Sequence, residues 1–231
     1  MENAIILCSG GLDSVVTAHY VKKRLRYVKI IILFFNYGQR NLEAERKFAK
    51  KCANNLKTKF KEIKLVELAK ISTSMLNSNK KVKEITKKDL KNTKKESSKW
   101  YVPFRNGIFL SYAIAMSEAY FIKYKKKFDI FIGFKNDGRE SYPDSTKEFI
   151  EKINLLQKTR VIAPLIKMDK EDIVLLGKKL GIDFKNTFSC YSLNKIHCGM
   201  CLACKLRQEG FYWANVKDPT KYLSQSVNKG T

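Results

Sequence analysis

A chain of 231 residues, 44% hydrophobic and 29% charged, is long enough to bury roughly 70% of its unfolded surface and is not composed like a disordered one. Its longest apolar run, Ile30 to Phe35, falls far short of a membrane span, and Ala4 to Leu7 meets Ser-Gly-Gly too soon for a signal peptide. An integral membrane protein, a secreted precursor, a repeat array and a coiled coil are excluded, which leaves a cytoplasmic enzyme of one domain, or one domain with an elaborated end. The net charge of +24 favours polyanionic partners, but only eight of the 46 basic residues are arginine, and lysine-rich composition also arises without any such partner.

Ala4 to Leu7 reads as a short buried strand and Leu12 to Arg24 as a helix. Val28 to Phe35 is a second, almost continuously apolar strand, as a parallel sheet covered on both faces requires. A helix is predicted over Asn41 to Leu56, a third strand over Phe60 to Leu68, and a long apolar helix over Pro103 to Tyr120. Asp129 to Phe134 is the fourth strand, Asp144 to Leu156 a helix, and Val161 to Leu165 a short fifth strand. Asp169 to Leu180 is helical, with Asp169 placed to cap its start and Gly181 its end. Strands alternating with helices predict an α/β fold: a Rossmann-like parallel sheet with right-handed crossovers, binding its ligand at the carboxyl ends of the strands. Lys80 to Lys99 stands apart, with nine lysines and only Val82, Ile85 and Leu90 as aliphatic residues. It reads as a solvated loop, with a lid over an anionic ligand as the functional alternative.

The sharpest motif is Ser9-Gly10-Gly11-Leu12-Asp13-Ser14, between the first strand and the first helix. Paired glycines let backbone approach a phosphate, the two serines offer hydroxyls, and the helix N-terminus adds partial positive charge. Neither the Walker pattern nor GxGxxG is present. The motif resembles the phosphate loop of the PP-loop, or N-type ATP pyrophosphatase, superfamily, which implies ATP cleaved between its α- and β-phosphates.

Six cysteines are present, and Cys190, Cys198, Cys201 and Cys204 fall within fifteen residues. That clustering is metal-ligand spacing in a reducing compartment, not a disulfide framework. Four thiolates complete a tetrahedron, so a closed, structural Zn2+ site is expected, with an iron–sulfur cluster or substitution of one sulfur by His197 as alternatives. Cys8 and Cys52 lie apart and read as small core residues. The expected layout is an ATP-binding domain over 1–185 and a small cysteine-bearing helical segment over 186–231.

Taken together, Leu7-Cys8-Ser9-Gly10-Gly11-Leu12-Asp13-Ser14, Asn36-Tyr37-Gly38-Gln39-Arg40, Val102-Pro103-Phe104-Arg105-Asn106, Tyr142-Pro143-Asp144, Ala163-Pro164-Leu165, Phe188-Ser189-Cys190-Tyr191 and Cys198-Gly199-Met200-Cys201-Leu202-Ala203-Cys204 resemble the QueC family, the 7-cyano-7-deazaguanine (preQ0) synthases, nearly end to end. The resemblance implies a cytoplasmic enzyme, typically a homodimer, that uses ATP with Mg2+ to join ammonia to 7-carboxy-7-deazaguanine. It implies that Leu7 to Ser14 bind ATP, with Asp13 also orienting Mg2+. It further implies that Arg40 and Arg105 hold phosphate or carboxylate and act in catalysis with Asp13. Tyr37, Gln39, Asn106, Tyr142 and Asp144 would complete the substrate site. Asp144 could equally cap the helix that follows it; Tyr37 and Tyr142 could equally be wall residues.

The chain departs from the family where Ser145-Thr146 follow Tyr-Pro-Asp in place of Cys-Arg, in the spacing of Asp137 after Gly133, and at Asn36 and Phe188. These changes cluster where the deazapurine or amine should sit. They are compatible with a QueC-like ligase of an anti-phage system that joins the carboxylate to a protein amine and stops at an amide. A tRNA-modifying PP-loop enzyme and a non-enzymatic zinc module are the remaining alternatives.

Overall fold

The computed structural model describes residues 2–86, 89, 94–135, 142–193 and 195–223. Five strands, β1 (Asn3–Leu7), β2 (Lys29–Asn36), β3 (Lys59–Lys64), β4 (Phe128–Phe131) and β5 (Val161–Ile162), form one sheet in the order β3-β2-β1-β4-β5. Every neighbouring pair is parallel. The helices are α1 (Leu12–Lys23), α2 (Leu42–Asn55), α3 (Glu67–Ile71), α4 (Lys94–Ser98), α5 (Arg105–Tyr124), α6 (Lys147–Leu156), α7 (Lys170–Lys179) and α8 (Leu202–Trp213). This is the predicted doubly wound α/β architecture with a C-terminal helical segment.

The apolar run of β2 is explained by burial on both faces: none of Ile30 to Phe35 is more than 4% exposed. Alternate side chains serve opposite layers. Ile30, Ile32 and Phe34 join one core with residues of α1, α2, α7 and α8. Ile31, Leu33 and Phe35 join the other, with residues of α5 and α6. Cys8 and Cys52 are buried in the first core, as expected of small apolar residues.

Several element boundaries differ from prediction, each for a local reason. β3 stops at Lys64: the Leu65 N–H donates to the Asn36 carbonyl at 2.6 Å, and Leu68 then lies on α3. α5 starts at Arg105, after Phe104 in a left-handed conformation, and runs on to Tyr124. β4 ends at Phe131 and β5 is only Val161–Ile162, since Pro164 has no N–H to extend a ladder. α6 starts at Lys147 because Thr146 caps it, its hydroxyl accepting from the Phe149 N–H at 3.1 Å. Asp169 caps α7 as predicted, in a reciprocal box with Asp172, and Gly181 follows the helix at φ +66°.

The described part of the basic stretch is mostly exposed, as a solvated loop requires, but it is anchored at a few points and ends in the short helix α4. Ile85 is 5% exposed, and its N–H donates to the Met200 carbonyl at 3.0 Å. Val82 packs against the core, and Glu96 of α4 is buried. Leu90 and the neighbouring lysines at 87–88 and 91 fall outside the described residues, as does Asp137. Among the described residues, no helix is long and apolar enough to cross a membrane.

Candidate active site

Strand order reverses between β1 and β4, and a crevice opens at their carboxyl ends, where such sheets bind ligands. The Ser9–Ser14 loop occupies it. Gly10 sits at φ +81°, and a Cβ there would lie 2.7 Å from the Phe48 Cβ and 2.8 Å from the Ala49 nitrogen. The loop therefore rests directly on α2, which only glycine permits. Ser9 Oγ accepts from the Gly11 N–H at 3.3 Å, and Ser14 Oγ donates to the Gly11 carbonyl at 3.0 Å. Both Asp13 carboxylate oxygens accept from Lys170 Nζ at 2.7 Å. Lys170 went unrecognised in the sequence, where 157 positions separate the pair. Its stem reaches the loop across Gly210 of α8, where a Cβ would lie 2.2 Å from Lys170 Cγ.

The loop opens into a cavity of about 380 Å³, within the usual size of small-molecule sites. Leu7, Cys8, Ser9, Gly11, Leu12, Asp13 and Ser14 line one end; Gly10 faces α2 instead. Tyr37, Gln39, Arg105, Asn106 and Tyr142 also border it. The Arg105 guanidinium donates to the Tyr37 hydroxyl at 3.2 Å and lies over the rings of Tyr37 and Phe109 at 5.5 and 5.9 Å. It also donates to Asn106 Oδ1. Gln39 is inward-facing and committed: Oε1 accepts from the Tyr37 N–H, while Nε2 donates to the Phe35 carbonyl and to Glu45 Oε2. Its amide therefore positions neighbours, leaving little for a ligand. Tyr142 stacks on Tyr101 and donates to the Ser97 carbonyl at 2.8 Å.

Two predicted residues lie elsewhere. Arg40 does not border the cavity; its guanidinium donates to the Met75 and Lys80 carbonyls, beside the cysteine cluster. Asp144 is 1% exposed and does cap a helix, but not its own: Oδ2 accepts from the Asn106 N–H at 2.8 Å, at the start of α5. Oδ1 is buried with no hydrogen bond among the described residues, and burial holds this carboxyl above its ordinary range.

Glu45, on the first turns of α2, borders the same cavity and was not recognised from sequence, where it reads as one more surface charge. Burial pushes its carboxyl up to about 7, against the opposing effects of the Gln39 hydrogen bond and the Arg105 charge. Burial likewise pushes Tyr37 up to about 12. Burial works against the charge on Arg105, but Tyr37, Asp144 and Glu45 outweigh it and hold the guanidinium protonated.

Cys190, Cys198, Cys201 and Cys204 are all buried, with their sulfurs within 4.8 Å of one another. A single tetrahedral ion with bonds of about 2.3 Å needs sulfurs about 3.8 Å apart, so the set fits one metal ion after modest contraction. A cubane, with each cysteine on a different iron, would hold them farther apart. Backbone N–H groups of Ser192, Cys198, Met200, Cys201 and Cys204 donate to sulfur at 3.3–3.4 Å, which suits thiolate charge. His197 is not among the ligand atoms: Nε2 accepts from the Ser189 N–H at 3.1 Å. Arg207, 1% exposed, anchors the segment through Thr187, the Phe184 carbonyl and Asp218.

A family profile described as "Queuosine biosynthesis protein QueC" matches residues 3–215. A protein named 7-cyano-7-deazaguanine synthase from Rickettsia felis is 36% identical over 233 residues, covering 96% of this chain and all of that one. Another of that name from Methanococcus maripaludis is 38% identical over 238 residues, covering 95% and 98%. Among solved structures, a 4-thiouridine synthetase–RNA complex with bound ATP aligns with TM-score 0.50 at 17% identity, over 93% of this chain and 50% of that one. At that identity the likeness concerns the fold alone. The profile and the curated relatives both run nearly the length of the sequence, and on that ground the chain belongs to the QueC family.

Proposed function

We propose that this protein converts 7-carboxy-7-deazaguanine and ammonia to 7-cyano-7-deazaguanine at the expense of two ATP. The observation that carries the reading is that one cavity joins the phosphate loop to the Tyr37–Arg105–Asn106 wall. The relatives' name supplies the substrate class.

A carboxylate is a poor acyl donor because its leaving group would be oxide. Attack of a carboxylate oxygen on the ATP α-phosphate expels pyrophosphate and makes an acyl adenylate. Ammonia then forms the C–N bond, the C–O bond to AMP breaks, and an amide results. Attack of the amide oxygen on a second ATP, followed by loss of AMP and the nitrogen-bound protons, leaves the nitrile. The protein's task is positioning and charge stabilisation. Ser9 to Ser14 and the α1 N-terminus hold the pyrophosphate end. Arg105, kept charged by its neighbours, holds the carboxylate and then the developing negative charge. Tyr37 and Tyr142 flank the ring, while Gln39 and Asp144 orient Tyr37 and Asn106 respectively.

The Asp13 carboxylate is bonded through both oxygens to Lys170, so it does not furnish a ready Mg2+ site; Mg2+ enters as part of the ATP substrate. The four cysteines fit Zn2+, which would cross-link the C-terminal segment and take no part in the chemistry.

The test is mass spectrometry of products from purified protein, 7-carboxy-7-deazaguanine, ammonium, ATP and Mg2+. Nitrile together with AMP is the expected result. Amide alone, or AMP without nitrile, overturns the synthase reading and points to a ligase whose amine is on another macromolecule.

A further inference from the structure

We propose that Glu45 binds ammonium in the cavity and accepts one of its protons, delivering ammonia to the acyl adenylate. The inference rests on the synthase reading above and names the residue that handles the nitrogen substrate.

The cavity wall carries two carboxylates among the described residues, Asp13 and Glu45. Asp13 is ion-paired with Lys170; Glu45 is in no ion pair among the described residues. The remaining charged side chains on the wall are Arg105, Arg207, which pairs with Asp218, and Lys135. Arg105 is the titratable group whose charge acts on Glu45, Glu45 in turn raises Tyr37, and Arg105 directs its own hydrogen bonds to Tyr37 and Asn106. Glu45 Oε2 is fixed by Gln39 at 3.1 Å, and Oε1 receives no hydrogen bond from any described residue. Among the described residues the site is thus a positioned carboxylate with one oxygen uncommitted and no bonded cation, in the cavity that must admit a small cation.

Its backbone is packed against the phosphate loop. A Cβ on Gly10 would lie 2.9 Å from the Glu45 carbonyl oxygen, so the loop and this turn of α2 are in direct contact. The backbone that carries Glu45 is thus packed on the nucleotide cradle, and its carboxylate, tied to Gln39, lines the same cavity in which an adenylate would form.

The chemistry requires such a group. Ammonium has no lone pair with which to attack a carbonyl. Transfer of one N–H proton to Glu45 leaves ammonia and a neutral carboxylic acid. The nitrogen lone pair then forms the C–N bond, and the C–O bond breaks with its electrons going to AMP. Glu45 returns its proton to water through the cavity mouth and, ionised again, accepts the one further proton that leaves the nitrogen to give the amide. A carboxyl raised toward neutrality by burial is matched to that exchange near pH 7.

The experiment compares two amines in wild type and Glu45→Gln, with saturating 7-carboxy-7-deazaguanine and ATP. Ammonium must lose a proton before attack; hydroxylamine is already neutral at pH 7 and gives a hydroxamate from the same adenylate. Glutamine preserves the acceptor for Gln39 and removes only the charge. The ratio of ammonia-dependent to hydroxylamine-dependent rate is expected to fall about 100-fold in Glu45→Gln, with partial recovery in Glu45→Asp. An unchanged ratio overturns the proposal, whether both rates fall together, as a structural role would give, or neither does. Should Glu45→Gln fail to fold, wild type alone decides: at fixed, subsaturating total ammonium the ammonia rate rises with pH and levels off above about 7, where Glu45 is fully ionised, whereas a rate that keeps climbing well beyond that, as capture of free ammonia from solution gives, overturns the assignment. Wild type that yields neither amide nor hydroxamate overturns the synthase reading itself, and Glu45's role with it.

Discussion

The cavity at β1 and β4 and the cysteine cluster at the start of α8 are both polar centres inside an apolar frame, yet they are finished in opposite ways. At the cluster the sulfurs face one another, and six backbone N–H groups of the described residues donate to them. Nothing is left for a reactant. At the cavity, Arg105 is held charged and Glu45 keeps an oxygen uncommitted among the described residues. The lesson is that polar satisfaction separates the two uses: a fully satisfied centre locks structure, and a deliberately incomplete one waits for a ligand.

The contrast breaks most dramatically at the cluster. Cys201→Ser, or chelation, removes a tetrahedral ligand from a buried set, and structural zinc supplies on the order of 10 kcal/mol in small domains. Loss of bound metal and of the cooperative thermal transition is expected, with proteolysis confined first to the segment after Thr187. Retention of the same transition without metal would mean the cluster is merely packed.

A smaller effect tests the cavity's frame. Gly10→Ala combines a left-handed backbone with contacts of 2.7–2.9 Å, two of them to backbone atoms that cannot yield. A loss of about 2–4 kcal/mol is expected by urea unfolding, together with weakened ATP binding by calorimetry.

The smallest effect carries the opposite sign. Glu45 has a folded-state pKa near 7 against an ordinary value of 4.5. A raised carboxyl contributes fully below the ordinary value, and that contribution is lost as pH rises through 7. Glu45→Gln should therefore be more stable than wild type at pH 8 by about 1–2 kcal/mol, discounted because the carboxylate borders an open cavity, and the two should converge near pH 4. A stabilising loss of charge is what a functional carboxylate shows and a structural one does not.

Contiguous motifs were legible because their physics is local. The Ser9–Ser14 loop and the cysteine spacing each declare a chemistry within a few residues, and the apolar run of β2 declares a covered parallel sheet. What stayed hidden depends on distant neighbours. Glu45 resembles any helix-face glutamate until Gly10 packs its turn against the phosphate loop. Lys170 is one lysine among many until Gly210 lets it pass to Asp13. Asp144 reads as a helix cap in the sequence, but which helix it caps is set by the approach of α5, 38 positions upstream. Arg40 was drawn to the cavity by its motif, whereas the carbonyls of Met75 and Lys80 draw it toward the cysteines.

The tie between Asp13 and Lys170, and that between the Gly10 carbonyl and the Phe188 N–H at 2.9 Å, bear on how the protein is made. The nucleotide cradle leaves the ribosome well before its closing partners, Lys170 following Asp13 by 157 positions. Contacts of such long sequence separation form late and slowly. A nascent or truncated chain that folds the early strands thus carries an open, unbraced loop, and ATP capture becomes available only once synthesis has passed Phe188.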